Sequence, residues 1–178
     1  MDTITIKDLS FTPYISEADL QESVLQVAHK INQDYNGKSP LFLGVLNGSF
    51  MFIGDLMKWI SVDCFISFIK LASYEGTQST GMVNELIGLN EDIEGRDIVL
   101  IEDIVDTGNT LEKLYQILEK KNPKSIKIAT LLYKPEAYKK SYKIDYVGKE
   151  IPNAFVLGYG LDYDGLGRNL SSIYVLKD

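Results

Sequence analysis

Short apolar runs alternate with segments of helical period along this chain, and that alternation restricts the fold more than any other feature. LFLGVL (41–46), VDCFISFIKLA (62–72), DIVLIE (97–102) and SIKIATLLY (125–133) read as strands rich in β-branched and aromatic residues. Between them, FMFIGDLMKWI (50–60) reads as a helix, and residues 109–121 carry Leu111, Leu114, Tyr115 and Leu118 on one helical face. An earlier helix opens at Ser16 as N-cap, with Asp19 at the third helical position and Ile15 placed to staple onto Leu20. Leu20, Val24, Val27, Ala28, Ile31 and Tyr35 continue its apolar face until Gly37 and Pro40 stop it. VNELIGL is expected to pair with the 62–72 strand, and DYVGKEI, AFVLGYGL and SIYVLK give short strands near the end. Strands that alternate with helices predict a twisted parallel sheet of about five strands flanked by helices.

Ligands of such sheets bind at the carboxyl ends of strands, where connections reverse direction. VLIEDIVDTG (99–108) lies at such an end, and it holds three acids, Glu102, Asp103 and Asp106. Carboxylates this close repel, so a cation or hydroxyl-rich group is expected among them. Directly after them, Thr107, Gly108, Asn109 and Thr110 lead into a helix whose first N–H groups have no partner within the helix, a site suited to a phosphate monoester. Glu102 and Asp103 can meet vicinal sugar hydroxyls directly or through Mg²⁺, and Asp106 stands between the two ends. A site for a phosphate at one end and a diol at the other fits a ribose 5-phosphate.

Composition narrows the classes further. The 178 residues fit one domain, and the net charge of -7 argues against a nucleic-acid partner. The single cysteine, Cys64, lies in an apolar run and is expected to be a buried small hydrophobe. One cysteine gives no disulfide framework, which suits a reducing compartment. The start MDTITIKDLSF has no basic-then-apolar pattern and no run is long enough to span a bilayer, so a cytoplasmic protein without a membrane partner is expected. His29, the only histidine, falls on the first helix away from the acids and is expected to have a surface or packing role.

VLIEDIVDTGNTL closely resembles the phosphoribosyl-diphosphate-binding motif of type I phosphoribosyltransferases. SYEGTQSTG (73–81), LLYKP and FVLGYGLDYDGLGRNL resemble segments of that family's hypoxanthine (guanine) branch, in family order and over most of the chain. The resemblance implies a flavodoxin-like sheet in a single domain, 1–178, with a small hood formed by the N-terminal segment and roughly 140–178. It implies reversible transfer of 5-phosphoribosyl from phosphoribosyl diphosphate to N9 of a 6-oxopurine, releasing diphosphate, in a homodimer or homotetramer that requires Mg²⁺.

Site residues follow from the same resemblance. Glu102, Asp103, Asp106, Thr107, Gly108, Asn109 and Thr110 would hold the phosphoribosyl group, with Asp106 also near purine N7 as general base. Asn47, Gly48, Ser73, Tyr74 and Arg168 would hold diphosphate, the 73–82 segment closing as a mobile loop over the reacting centre. Lys134 would donate to purine O6, Phe155 would stack on the ring, and the Val156 backbone would read its edge. Asp162 would face the purine and carry a second Mg²⁺, so that Glu102, Asp103 and Asp162 are the metal-facing acids. Two positions depart from the family pattern: Asn47 replaces a common lysine before Gly48, and Asn109 stands where a lysine or hydrophobe is frequent. The sequence leaves hypoxanthine, guanine and xanthine unresolved, because backbone reads part of the base edge. Two other classes fit less well. A phosphoacceptor or phosphohydrolase wants different spacing from that of Asp103 and Asp106, and an RNA-binding regulator on the same fold wants a basic face.

Overall fold

The structure, a computed structural model, describes residues 2–72, 85–89 and 91–177. The segment expected to be a mobile loop, with Ser73 and Tyr74, lies outside the described residues. The chain opens with a hairpin of β1 (Ile4–Ile6) and β2 (Leu9–Ile15), antiparallel across a turn at Lys7 and Asp8. Helix α1 (Glu17–Asp34) follows, and Ser16 caps it by accepting a hydrogen bond from the Asp19 backbone N–H at 3.2 Å. Its buried face is Leu20, Ser23, Val24, Val27, Ala28 and Ile31, the helical period read from the sequence with one serine added.

The large sheet is built next. β3 (Leu41–Val45) leads through α2 (Phe50–Met57) to β4 (Phe65–Ala72), which lies parallel beside it, and β5 (Glu85–Ile87) pairs antiparallel with β4. β6 (Asp97–Val105) lies parallel on the other flank of β3, followed by α3 (Asn109–Glu119), β7 (Ser125–Tyr133) and β8 (Tyr146–Glu150), all parallel. Among the described residues the order is β5-β4-β3-β6-β7-β8, so the connections reverse between β3 and β6. α1 and α2 pack one face against Val99, Ile101 and Ala129, while α3 packs the other against Leu41, Leu43, Ile98 and Leu100. A second sheet of β1, β2, β10 (Ile173–Leu176) and β9 (Val156–Leu157), in the order β1-β2-β10-β9, is antiparallel throughout.

Several expectations change. The strand through the acids runs to Val105, past Glu102 and Asp103, because β7 keeps pairing with it through Glu102↔Thr130, Ile104↔Leu132 and Val105↔Tyr133. Its alternation slips at the two acids: Val99 and Ile101 face the α1 side, but Val105 packs on the α3 side and Ile104 on the first. Residues 146–150, counted with the hood on sequence, form an edge strand of the large sheet. AFVLGYGL forms only the two residues of β9 before three successive positive φ values at Gly158, Tyr159 and Gly160 end it. Cys64 is exposed rather than buried, since it precedes β4 and the first half of that strand has no neighbour on its outer edge among the described residues. His29 is exposed on α1.

Candidate active site

β6 delivers the acids to the point where the sheet reverses. Glu102 is 7% exposed and Asp103 is partly buried at the strand end. Burial drives the Glu102 carboxyl well above the usual range, and the charge of Asp103 adds to it. Burial pushes Asp103 up to about 6, although the Ile104 backbone N–H and the Arg168 guanidinium pull the other way and Asp162 adds repulsion. Asp103 Oδ1 accepts from the Ile104 N–H at 2.8 Å. Asp162 and Arg168 come near enough to Asp103 for their charges to act on its carboxyl, although they lie about sixty residues further along the chain.

Opposite Asp103 stands the turn after β3. The Leu46–Asn47 peptide is cis, Asn47 is exposed, and Ser49 donates its hydroxyl to the Val45 carbonyl at 2.6 Å. Gly48 lies so close to the Asp103 carboxylate that any Cβ there would collide with it. On its other side the Gly48 carbonyl oxygen lies where a Cβ on Gly160 would be. Asp103, Gly48 and Gly160 therefore form a tight stack joining β6, the turn after β3 and the turn after β9.

After Val105 the chain turns through Asp106, Thr107 and Gly108, which adopts a left-handed φ of 82° as the N-cap of α3. No side chain caps this helix, so its first N–H groups at Asn109 and Thr110 stay available to a ligand. Tyr138 and Lys140 cover Gly108 from the back, and Lys140 pairs with Glu112 at 2.7 Å. A cleft of about 330 Å³ is lined by Val45, Leu46, Gly48 and the run from Glu102 to Leu111. Seven of the residues read from the sequence as a phosphoribosyl site, Glu102, Asp103, Asp106, Thr107, Gly108, Asn109 and Thr110, thus line one cleft.

The remaining candidates approach from the other elements. Lys134 follows β7, is 6% exposed, and places Nζ 2.6 Å from Asp106 Oδ2. Arg168 pairs with Asp162 at 2.6 Å and donates to the Gly160 carbonyl at 2.6 Å. Asp162 also accepts from the Gly165 N–H at 2.7 Å. Phe155 is 45% exposed, with its ring 6.1 Å from Phe11 and 6.0 Å from Tyr163. It borders a separate surface cleft with Thr12, Asn153, Val175 and Lys177 rather than the acid-lined one. Val156 is buried in β9 opposite Val175. Gly160 and Tyr138 are not singled out by sequence alone: the Gly-Tyr-Gly spacing hints at the first, and only the tertiary fold brings Tyr138 onto Gly108.

No group of three His, Cys, Asp or Glu side chains among the described residues is arranged to hold a metal unaided. Mg²⁺ is commonly held by one or two carboxylates together with substrate phosphates, so Glu102, Asp103 and Asp162 fit an ion that arrives with its substrate better than a resident one.

Residues 18–164 match the family model described as a phosphoribosyl transferase domain. The chain belongs to the phosphoribosyl transferase family. Within it, this phosphoribosyl transferase chain is 42% identical over 164 residues to the hypoxanthine-guanine phosphoribosyltransferase of Staphylococcus aureus, covering 92% of each. It is 43% identical over 164 residues to the bifunctional protein TilS/HprT of Listeria innocua, covering 92% of this chain but only 25% of that longer protein. The crystal structure of a hypoxanthine-guanine phosphoribosyltransferase from Bacillus anthracis superposes with a TM-score of 0.83 at 37% identity, covering 98% of this chain and 100% of that one.

Proposed function

We propose that this protein is a hypoxanthine (guanine) phosphoribosyltransferase of purine salvage. It transfers 5-phosphoribosyl from phosphoribosyl diphosphate to N9 of a 6-oxopurine, giving IMP or GMP and diphosphate. The observation that carries this reading is the joining of buried acids and an uncapped helix start in one cleft. The first suits a diol and its cation, the second a phosphate monoester.

In this reading the start of α3, from Thr107 to Thr110, holds the 5-phosphate, and Glu102 and Asp103 face the ribose hydroxyls. The turn at Asn47 and Gly48 offers backbone N–H groups to diphosphate, and Arg168 swings from Asp162 to the same group as a guanidinium fork. Ser73 and Tyr74, outside the described residues, are read as further contacts to it. Lys134 leaves Asp106 to donate to purine O6. An ammonium has only donors, so it favours an oxo over an amino group there. Phe155 offers an exposed ring for stacking, and Val156 offers backbone to the ring edge. Asp106 then faces N7, where it can hold the proton lost as N9 bonds to the anomeric carbon and the bond to diphosphate breaks. Mg²⁺, held by Glu102 and Asp103 with Asp162 at the diphosphate side, would neutralise the phosphates' charge.

Xanthine- or guanine-preferring activity on the same residues is the second reading, because a base edge read by backbone would not by itself select one 6-oxopurine. The protein is expected to act in the cytoplasm, and no helix among the described residues is long and apolar enough to cross a membrane. Assembly as a homodimer or homotetramer is supported by Phe65, Ile66 and Phe68, which expose 55%, 47% and 38% of their surface near one edge of the sheet.

The deciding experiment supplies purified protein with phosphoribosyl diphosphate, Mg²⁺ and, in turn, hypoxanthine, guanine, xanthine and adenine. Nucleotide formed from a 6-oxopurine and not from adenine is the expected result. No nucleotide from any base would overturn the reading.

A further inference from the structure

Tyr159 is fully buried at 1% exposure and holds a left-handed φ of 49° between two glycines, Gly158 at 100° and Gly160 at 99°. A non-glycine residue in that region costs energy and persists where its surroundings fix it. Here they do. The Tyr159 hydroxyl donates to Asp55 Oδ2 on α2 at 2.5 Å, and Gln21 on α1 donates to the same oxygen at 2.6 Å. Burial raises the Tyr159 phenol and its hydrogen bond to Asp55 raises it further, so it stays a donor.

The turn held in this way touches two parts of the cleft. Gly160 packs against the Gly48 carbonyl with no room for a side chain, and its own carbonyl accepts from Arg168 Nη1 at 2.6 Å. Both contacts lie on the diphosphate side of the site. Neither reaches Lys134, which is held by Asp106 on the opposite side. We propose that Tyr159, tethered through Asp55 and Gln21 to the helices beneath the large sheet, is a positioning residue that sets the affinity of the diphosphate subsite by fixing Gly160 against Gly48 and Arg168.

This inference rests on the phosphoribosyl-transfer reading and deepens it. The tether joins the turn after β9 to the helical layer through the buried Tyr159 and the half-buried Asp55 and Gln21, whose amide also reaches the Tyr159 hydroxyl at 3.4 Å, so its loss should loosen the turn without unfolding the sheet. Of the purine-side groups, Lys134 follows β7 across β6, while the Phe155 carbonyl accepts from the Leu176 N–H at 2.9 Å and Val156 pairs with Val175 of β10, so none of the three depends on the tether.

The test measures KM for each substrate and the affinity of the full chain for magnesium diphosphate by calorimetry. Tyr159→Phe keeps the ring and removes the donor. It should raise KM for phosphoribosyl diphosphate and weaken diphosphate binding by about 5- to 10-fold, with KM for hypoxanthine within about 2-fold of wild type. Asp55→Asn keeps an acceptor and should retain most of the wild-type affinity, whereas Asp55→Ala should match Tyr159→Phe, and the Tyr159→Phe, Asp55→Ala double variant should lose no more than either alone. Should Tyr159→Phe fail to fold, Gln21→Ala and the Asp55 pair carry the same comparison. Equal rises in both KM values, or a lowered melting temperature with both KM values unchanged, would overturn the tether. A wild type that forms no nucleotide would instead overturn the transferase reading, and with it the inference built on it.

Discussion

Lys134 Nζ lies 2.6 Å from Asp106 Oδ2, yet the lysine side chain is only 7% exposed while that of the aspartate is 43% exposed. The buried cation thus meets its counterion at the mouth of the cleft, and a ligand that replaces Asp106 as its partner finds a donor already desolvated. Removing the lysine should cost about 1.5–3 kcal/mol, the range for a hydrogen bond to a charged group. Lys134→Ala should lower kcat/KM with hypoxanthine by about 10- to 100-fold and leave adenine unused, because deleting a donor creates no acceptor for an amino group. A variant within about two-fold of wild type would put the O6 contact below roughly 0.5 kcal/mol and remove it from the site.

Gly48 gives a steric prediction. A methyl group there would enter the Asp103 carboxylate, and the turn cannot retreat because Gly160 presses on its carbonyl from the other side. Gly48→Ala should destabilise the fold by about 1–3 kcal/mol, as overpacking does, and abolish measurable transfer. Thermal denaturation and the nucleotide assay read the two effects separately. Wild-type activity in this variant would show that the stack is looser than described.

Divalent ion should be required. Glu102, Asp103 and Asp162 otherwise face a diphosphate with like charge, and Arg168 alone would have to offset it. Chelator in excess should abolish turnover and added Mg²⁺ should restore it. Full activity in chelator would refute the metal-facing role of the three acids.

Stability should depend on pH through Asp103. Its folded pKa of about 6 lies above the unfolded 3.8, so folding favours the protonated acid. That contribution is complete below the unfolded value and is lost as pH rises through the folded one. Asp103→Asn stays neutral and can still accept from Ile104. In chelator it should match wild type near pH 4, gain on it between about pH 4 and 6, and exceed it by about 1–3 kcal/mol at pH 7 and above. Chemical denaturation at those pH values measures the gap. A variant less stable than wild type at pH 8 would contradict the raised pKa.

Assembly should depend on the start of β4. Phe65→Glu with Phe68→Glu places two charges on the exposed apolar strand. Sedimentation should show the wild type as a dimer or tetramer and the double variant shifted towards monomer. An unchanged oligomer would move the interface elsewhere on the molecule.

The local chemistry of this protein is written in the sequence. Ser16 and the spacing from Leu20 to Tyr35 specify α1, because a cap and an apolar stripe act within a few residues of each other. The run from Glu102 to Thr110 likewise gives its own site, since neighbours in sequence at a strand-to-helix turn are neighbours in space and line the same cleft. The continuation of β6 to Val105 is not legible, because pairing with β7 overrides the polarity of two acids that would otherwise end a strand. Nor is the exposure of Cys64, since an apolar run does not reveal whether its strand has a neighbour on the outer edge. The tether of Tyr159 to Asp55 spans 104 residues, and the stack of Asp103, Gly48 and Gly160 joins β6 to two separate turns. Contacts of that kind depend on how the small sheet sits against the large one. Packing over the whole chain decides that, and no local pattern of residues records it.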